Sequence, residues 1–382
     1  MTGRRYGPNG QVTRAFSWDE STGRLTGVTT KTKADTAAPV TAQDDVFSYD
    51  IDDAVTKILD KTAASGSSLG QSECFTYDSL HRLTQAWTTT AASCSASSAT
   101  ADGLGIDPYA QTYTWDPVGN LTSLTSNGQT STYSYPGGGS APVHPDTTTA
   151  ITRPNGTDTY GYDNAGQMTS RIVSGKQSTF TYDELGELTE AVVDGKTTDS
   201  IYDAGGQRLL RRTPDGKVTL YLGSMELELS SGVVTGKRYY AAGDGSMVAL
   251  RTPAGLTWLL SGMAGSEQLA IDTTTQAFYR ERYLPFGQRR GEDELLLTDR
   301  GFLGATEDRS TSLSLLGARF YDPAIAKFLS PDPLLNLASP GLTNAYGYAG
   351  GDPINLFDAD GLNPALGTTR TGARSLPKSE SE

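Results

Sequence analysis

The sequence predicts an all-β protein built on one long antiparallel sheet of stacked hairpins. A motif of the form aromatic-x-aromatic-Asp recurs along the chain, and its last three aspartates, Asp163, Asp183 and Asp203, lie 20 residues apart. A repeated period of this length is typical of a repeat architecture. The 382 residues also include 43 glycines and only 36% hydrophobic residues, which favours a turn-rich β protein over a helical one.

Each repeat is interpreted as one β-hairpin. Aromatic residues two positions apart share one face of a strand, and the following Asp begins a turn by accepting backbone N–H groups. We expect Gly166, Gly186 and Gly205 to supply the positive φ of these turns. The stretches "VDGK" at 193–196 and "PDGK" at 214–217 predict the second turn of a repeat. Because one hairpin cannot bury its own face, consecutive hairpins should stack side by side.

The repeated aspartates and aromatics each allow two interpretations. The aspartates could be metal or catalytic ligands, but a shared position at the start of a turn favours a structural role. The aromatics are interpreted as core, and the alternative is an exposed row of rings that stacks on sugars. The aspartates of the motif are Asp19, Asp50, Asp78, Asp116, Asp163, Asp183 and Asp203.

Charge and hydropathy exclude several classes of function. The formal net charge of −13 repels phosphate backbones and anionic lipid, so neither nucleic-acid binding nor membrane insertion is expected. No apolar run approaches the ~20 residues that span a bilayer. The first residues, "MTGRRYGPNGQVTRAF", contain no apolar core of a signal peptide. We expect no cofactor and no metal.

The two cysteines, Cys74 and Cys94, are interpreted as a disulfide pair. A bridge between them would close a loop of about 20 residues and contribute roughly 3 kcal/mol by the chain-entropy model. The alternative is two unrelated thiols. Without a third Cys or a His cluster the pair does not resemble a zinc site. A disulfide would place the protein outside the cytosol.

The C-terminal part of the chain carries a specific resemblance. From about residue 278 the pattern changes to "FYRERYLPFGQ", then "GFLGATEDRSTSLSLLGARFYDPAIAKFLSPDPL", and finally "NAYGYAGGDPINLFDADGL". This block resembles the RHS-repeat-associated core domain of bacterial Rhs/YD-repeat proteins, and the preceding hairpins resemble the YD repeat. The resemblance covers residues from about 12 to 362, and the family includes polymorphic toxins, toxin-complex C components and teneurins.

The resemblance implies a sheet that spirals into a hollow shell, with a core domain that plugs one end and a toxin segment held inside. Because the repeats are few, we expect an open or partial shell. The expected domains are a YD-repeat shell over 12–277, the core domain over 278–362, and a disordered tail over 363–382. A tail of 20 polar residues cannot form a toxin domain.

In self-cleaving members of the family, the core domain is an aspartyl autoprotease that cuts after its terminal "DPxGL". The family motifs fall here on Asp332 and Asp358, which are therefore the candidate pair of carboxylates. Amide hydrolysis needs one carboxylate as base and one carboxylic acid. Asp360 is an additional carboxylate next to the expected scissile bond, Leu362–Asn363, and Arg319 is a candidate orienting cation.

Several positions depart from the family pattern. Leu335 replaces the glycine of the first motif, and Ala359 replaces the proline of the second. The usual Gly-Arg-Phe is Ala326-Lys327-Phe328, and Lys cannot form the bidentate contacts of Arg. Self-cleavage and a purely structural plug therefore stay open as alternatives.

Three hypotheses follow for function. The first is an encapsulating shell or scaffold segment of a secreted Rhs-type toxin-delivery protein that lacks its own toxin. Its partners would be a toxin segment inside the shell and other shell or secretion-system proteins. The second is an adhesin that binds carbohydrate through exposed aromatics, and the third is an active self-cleaving aspartyl peptidase. In each case we expect a bacterial protein that is secreted or on the cell surface.

Overall fold

The computed structural model describes residues 3–62, 70–91, 93–94, 103–137, 144–243, 245–262, 267–291, 297–334, 344–362 and 364–366. Within these ranges the chain forms strands, turns and short 3-10 turns, and no α-helix. The first twelve strands are β1 (Gly3–Tyr6), β2 (Val12–Trp18), β3 (Leu25–Thr32), β4 (Val40–Tyr49), β5 (Val55–Asp60), β6 (Gln71–Tyr77), β7 (Leu83–Thr89), β8 (Ala110–Trp115), β9 (Leu121–Ser126), β10 (Gln129–Ser134), β11 (Ala150–Arg153) and β12 (Gly156–Tyr162).

The next twelve strands are β13 (Met168–Val173), β14 (Lys176–Tyr182), β15 (Leu188–Val193), β16 (Lys196–Tyr202), β17 (Arg208–Arg212), β18 (Val218–Leu222), β19 (Met225–Ser230), β20 (Val233–Ala241), β21 (Met247–Thr252), β22 (Gly255–Ser261), β23 (Glu267–Asp272) and β24 (Phe278–Arg280). The remaining strands are β25 (Arg282–Tyr283), β26 (Arg289–Arg290), β27 (Thr306–Asp308), β28 (Leu313–Leu316), β29 (Arg319–Asp322), β30 (Lys327–Phe328), β31 (Leu356–Phe357) and β32 (Ala365–Leu366).

Strands β1 to β24 form one 24-stranded sheet in which every strand pairs antiparallel with the next along the chain. This order is a meander of hairpins, and the sheet is open. The expected fold class is confirmed. The sheet extends slightly beyond the expected 12–277, because β1 precedes residue 12 and β24 follows residue 277.

The repeated aspartate organises its turn as the sequence predicts. Oδ1 of Asp183 accepts the backbone N–H groups of Leu185 and Glu187, each at 2.9 Å. The aspartates at 50, 78, 116, 163 and 203 make the same pair of bonds to the residues two and four positions later. The turn-forming interpretation is therefore confirmed for these six.

One glycine expectation was wrong. Gly166 and Gly186 have φ of 83° and 86°, but in the next repeat the positive φ, 74°, belongs to Gly206 and not to Gly205. The strained position is the third residue after the aspartate, which is Gly206 when counted from Asp203. Two adjacent glycines made the sequence ambiguous, and the turn geometry selects the second.

The two aromatics of the motif have different roles. The first is buried in the core, as for Phe180 at 4% exposure. The second has intermediate exposure, packs against the core, and uses its polar end to bond the preceding hairpin: the Tyr182 hydroxyl donates to the Met168 carbonyl at 2.9 Å. The same bond joins Tyr49 to Leu25, Tyr77 to Val55, Trp115 to Leu83, Tyr135 to Leu121, and Tyr202 to Leu188.

The sheet curls so that its first strands meet its last strands through side chains. Tyr6 and Val12 share one hydrophobic cluster with Leu269 and Ile271. Arg280, at the end of β24, forms ion pairs with Asp45 in β4 and Asp60 in β5, each at 2.8 Å. The partial shell is thus held by side-chain contacts across its opening.

The block from β25 onward packs on the concave face of the sheet. Its aromatic residues Tyr321, Phe328 and Tyr348 are at most 1% exposed and belong to one core with sheet residues such as Tyr113 and Tyr160. Strands β27 to β30 form a four-stranded sheet within the block. We call this block, residues 281–362, the plug.

Buried arginine–carboxylate pairs also fasten the plug to the sheet. Arg208 in β17 donates to Asp308 of the plug at 2.7 Å, and Arg211 pairs with the same carboxylate. Further pairs join sheet and plug at Arg171–Asp322, Glu226–Arg300 and Glu73–Arg290. Removing one partner of a buried pair leaves an uncompensated charge, which typically costs 3–5 kcal/mol.

Candidate functional site

The plug brings the predicted residues Arg319, Asp332, Asp358 and Asp360 together. Arg319 begins β29 after a turn through Gly317, and Asp358 follows β31 directly. A Cβ atom on Gly317 would lie 2.3 Å from the Asp360 carbonyl oxygen, so only glycine allows the two backbones to approach this closely. The segment that ends in "DADGL" is therefore held against the β28–β29 turn.

Arg319 lies at the centre of the site and is 4% exposed. Its Nη2 is 3.4 Å from Asp332 Oδ2 and 3.3 Å from Asp358 Oδ2. Its Nε donates to the Gly361 carbonyl, and the guanidinium carbon lies 3.7 Å from the centre of the Phe328 ring. Burial lowers the pKa of Arg319, and the two carboxylates oppose that fall.

Asp358 is 1% exposed, and burial raises its pKa to about 6. The positive charge of Arg319 opposes the rise, whereas a hydrogen bond and the charge from Asp360 add to it. The carboxylate that shares a hydrogen bond with Asp358 is therefore Asp360. Nη2 of Arg319 contacts both Asp358 and Asp332.

Two carboxylates bind the backbone N–H of Leu362, the residue on the N-terminal side of the expected scissile bond. The Leu362 N–H donates to Asp358 Oδ1 at 2.9 Å and to Asp360 Oδ1 at 3.0 Å. Beyond it, Asn363 lies outside the described residues, but β32 at Ala365–Leu366 pairs antiparallel with β31. The backbone of these two residues adds a short ladder to the plug, and the rest of the tail that we expect to be disordered, residues 367–382, lies outside the described residues.

Sequence reasoning assigned no role to Asp352 and Asn355, which lie on the plug next to the sheet. Asn355 Oδ1 accepts the Val55 N–H at 2.8 Å, and its amide donates to Asp352. Burial raises the pKa of Asp352 to about 6.

Sequence reasoning also did not recognise the repeat at Tyr133-Ser134-Tyr135, because no aspartate follows it. Its signal was the aromatic spacing alone.

Cys74 and Cys94 are joined by a disulfide in the structure, with Cα atoms 5.7 Å apart. Cys74 lies in β6 and packs with Trp87 and Ala110. The bond's presence in solution stays a prediction. In the described part of the chain no group of His, Cys, Asp or Glu could hold a metal ion, and no helix is long and apolar enough to cross a membrane.

An open sheet of YD hairpins that carries a docked plug defines a shell-type repeat protein. The chain belongs to the Teneurin YD-shell family, whose model matches residues 8–354. It is 32% identical over 120 residues to the toxin subunit YenC1 of Yersinia entomophaga, and the matched stretch covers 29% of this chain and 12% of that protein. It is 37% identical over 82 residues to the salivary gland surface protein 1 of Aedes aegypti, covering 21% of this chain and 2% of that protein.

Solved structures with the same fold come from toxin complexes. The TcdB2-TccC3 crystal structure matches with a TM-score of 0.71 at 21% identity, over 94% of this chain and 19% of that one. The TcdB2-TccC3-Cdc42 structure matches with a TM-score of 0.69 at 21% identity, over 92% and 18% respectively. The chain thus spans less than a fifth of these relatives. At this identity the likeness shows the fold.

Proposed function

We propose that the chain is a wall segment of an encapsulating shell that holds a polypeptide along its concave face, in a secreted or cell-surface bacterial toxin-delivery protein. The observation that carries the proposal is the docking of the plug, whose buried aromatics and ion pairs close one part of the concave face. The family and the toxin-complex relatives support it. The toxin segment and the neighbouring shell proteins are the partners we propose.

A cavity lined by charged side chains lies beside the plug. A cavity of about 670 Å³ lies between the sheet and the plug, lined by Lys196, Lys217, Lys237, Asp215 and Glu307 among others. The lining side chains carry charges of both signs, so they would pair with charges of either sign on an enclosed segment.

The adhesin alternative requires an exposed row of the motif's aromatics. In the described residues the first aromatic of most repeats is buried, and the second bonds its neighbour hairpin. These contacts favour the shell over a sugar-stacking surface.

The shell proposal can be tested by photo-crosslinking of a fused polypeptide. An unfolded reporter would be appended after Glu382, and a photoreactive phenylalanine would replace Thr235 or, as matched control, Val234. Directly paired residues of neighbouring strands lie on the same face of a sheet. Thr235 belongs to a row of such pairs that continues through Glu228 and Thr219 to Arg211. Because Arg211 contacts the plug, this row, and with it Thr235, lies on the concave face. Val234 is 64% exposed on the other face.

We expect the Thr235 probe to crosslink the reporter and the Val234 probe to leave it largely unlinked. Equal crosslinking from both faces would contradict enclosure. The measurement is made at low protein concentration, so that crosslinks between molecules are rare.

We also propose self-cleavage between Leu362 and Asn363 as a second activity. The observation that favours it is the convergence of Arg319, Asp332 and Asp358 beside the Leu362 amide. In this proposal Asp332 activates water, Asp358 in its protonated form supplies the proton to the leaving amide nitrogen, and Arg319 holds both carboxylates in place. Asp360 fixes Asp358 and the Leu362 N–H.

The raised pKa of Asp358 sets the expected pH dependence. Its protonated form is required and is lost as pH rises through about 6, so cleavage should be faster at pH 5.5 than at pH 8. Intact mass spectrometry would follow release of the 20-residue peptide 363–382 from the wild type and from Asp332→Asn and Asp358→Asn. Asp183→Asn, a turn carboxylate outside the site, is the matched control.

We expect the control to be cut like the wild type, and loss of either site carboxylate to slow cleavage by at least ~100-fold, as expected when an acid and a base act together. An uncut wild type between pH 5 and 8 would contradict this second activity and leave the shell proposal unaffected. Cleavage that persists in both site variants would refute the assigned roles.

A further inference from the structure

A second cluster of reactive groups lies where the plug meets the sheet, apart from the carboxylate site. Lys327 begins β30 in the plug and is 3% exposed, and Asn120 ends a repeat turn in the sheet and is 2% exposed. The Lys327 Nζ lies 3.1 Å from Asn120 Oδ1. A buried lysine amine thus touches a buried carboxamide from a different part of the chain.

Three further side chains hold the Asn120 carboxamide. Its carbonyl oxygen also accepts a hydrogen bond from Asn344 Nδ2 at 2.6 Å, which would stabilise negative charge that develops there. Its amide nitrogen donates to Asp116 Oδ2 at 3.1 Å and to Asp146 Oδ1 at 3.3 Å. A donor therefore polarises the carbonyl, and two carboxylates that could carry a proton lie next to the nitrogen.

The amine is also suited to act as a nucleophile. Burial lowers the pKa of Lys327 to about 8, while the charges of Asp146 and Asp116 limit the fall. Roughly a tenth of the molecules would carry the neutral amine at pH 7. The Tyr135 ring lies 5.3 Å from Nζ, and Asn344 Oδ1 accepts from Nζ at 3.2 Å, so the amine is fixed next to its target.

We propose that Lys327 and Asn120 form an intramolecular isopeptide bond that joins the plug covalently to the sheet. The Nζ lone pair attacks Cγ of Asn120, and the oxyanion is stabilised by Asn344. One Nζ proton is transferred to Nδ2 through the carboxylates of Asp146 or Asp116. The Cγ–Nδ2 bond then breaks and ammonia leaves. No oxidant, reductant or cofactor is needed.

The structure offers a reason for such a bond. Asn120 precedes β9, the ninth of the 24 strands of the sheet, and Lys327 is buried in the plug. The bond would close a covalent loop of about 200 residues, so the plug could not leave the concave face even if its ion pairs dissociated. Lys in place of Arg at this position, a departure from the family pattern, is what makes the chemistry available, because only the amine can act as a nucleophile.

The test is the intact mass of the reduced, denatured full chain after incubation at pH 8.5. The cross-linked protein should be lighter than its sequence mass by about 17 Da, the mass of ammonia. Digestion should yield one branched peptide that contains Asn120 and Lys327. The wild type should also run faster than Lys327→Arg in denaturing gels, because its closed loop keeps the chain compact.

Lys327→Arg keeps the positive charge but removes the nucleophile, and we expect it to keep its full mass. Lys176→Arg, at an exposed lysine of β14, is the matched control and should show the deficit. Asn120→Asp should lose about 18 Da instead, because water and not ammonia is released. Circular dichroism confirms that each variant is folded.

A succinimide at Asn127-Gly128 would also lose about 17 Da, but it forms without Lys327 and produces no branched peptide. A 17-Da deficit that persists in Lys327→Arg would therefore overturn the proposal. A folded wild type that retains its full mass after several days at pH 8.5 would also overturn it, and Lys327 would then be a hydrogen-bonding residue of the interface only.

Discussion

The hydroxyl of the repeated tyrosine should contribute measurably to stability, and Tyr182 is the best position to test it. Tyr182→Phe removes the bond to the Met168 carbonyl and keeps the ring. The loss of one such bond to a buried residue should lower the free energy of unfolding by about 1–2 kcal/mol. Tyr182→Ala also removes the ring that packs against the core, for a total of about 3 kcal/mol.

These energies convert to small but measurable shifts in melting temperature. An unfolding entropy of ~2.1 cal/mol/K per residue gives about 0.8 kcal/mol/K for a chain of this length. Tyr182→Phe should therefore melt roughly 2 °C, and Tyr182→Ala roughly 4 °C, below the wild type. Scanning calorimetry and urea unfolding followed by tryptophan fluorescence would measure both.

Leu185→Ala is the matched control, because Leu185 lies at the tip of the same repeat and is 81% exposed. It should melt with the wild type. If Tyr182→Phe also melts with the wild type while Tyr182→Ala is destabilised, the ring contributes and the hydroxyl bond does not. The bond between hairpins would then be a consequence of packing and not a source of stability.

Three further predictions concern the rest of the chain. Thiol titration of the oxidised, denatured protein should detect no free thiol, and reducing Cys74–Cys94 should cost about 3 kcal/mol; two titratable thiols would exclude the bond. Asp308→Asn should destabilise plug docking by about 3–5 kcal/mol, seen as faster proteolysis of the plug, because buried Arg208 loses its counter-charge and Arg211 keeps only Asp299; an unchanged rate would show that the Asp308 ion pairs are not needed to hold the plug. Burial raises the pKa of Asp352 and Asp358 from the ordinary 3.8 to about 6, so the folded state favours their protonated forms. The contribution of each group to the free energy of unfolding is up to about 3 kcal/mol; it is complete below pH 4 and is lost as pH rises through 6. The free energy of unfolding of Asp358→Asn, measured by urea unfolding, should therefore change less between pH 4 and 7 than that of the wild type.

The parts of the fold that depend on neighbouring residues could be predicted from the sequence. The turn aspartates accept hydrogen bonds from residues only two and four positions later. The turn-forming role of Asp163 and Asp183 could therefore be predicted from their repeated position in the sequence. The bond from Tyr182 to Met168 could not be foreseen, because the period places the ring on a face but does not fix the neighbour that its hydroxyl meets. The choice of Gly206 over Gly205 likewise needed the turn itself.

The candidate site could likewise be predicted only in part from the sequence. Asp332 and Asp358 could be selected from the family motifs, and the structure brings both to Arg319. The hydrogen bond between Asp358 and Asp360 could not be predicted, because the family motifs pair Asp358 with Asp332 and leave Asp360 as an additional carboxylate. The ion pairs that join sheet and plug, such as Arg208–Asp308, connect residues 100 positions apart, and no local pattern indicates them.

The separation of these contacts has a consequence for how the two proposed activities depend on each other. Arg319, Asp332 and Asp358 all belong to the plug, and in the described residues the polar contacts of Arg319 are made within the plug as well. The bonds that hold the plug to the sheet involve other residues, among them Asp308. Weakening the dock through Asp308→Asn should therefore loosen enclosure while leaving cleavage after Leu362 close to the wild-type rate. If cleavage were lost together with docking, the sheet would have to order the carboxylate site, and the site would not be a property of the plug alone.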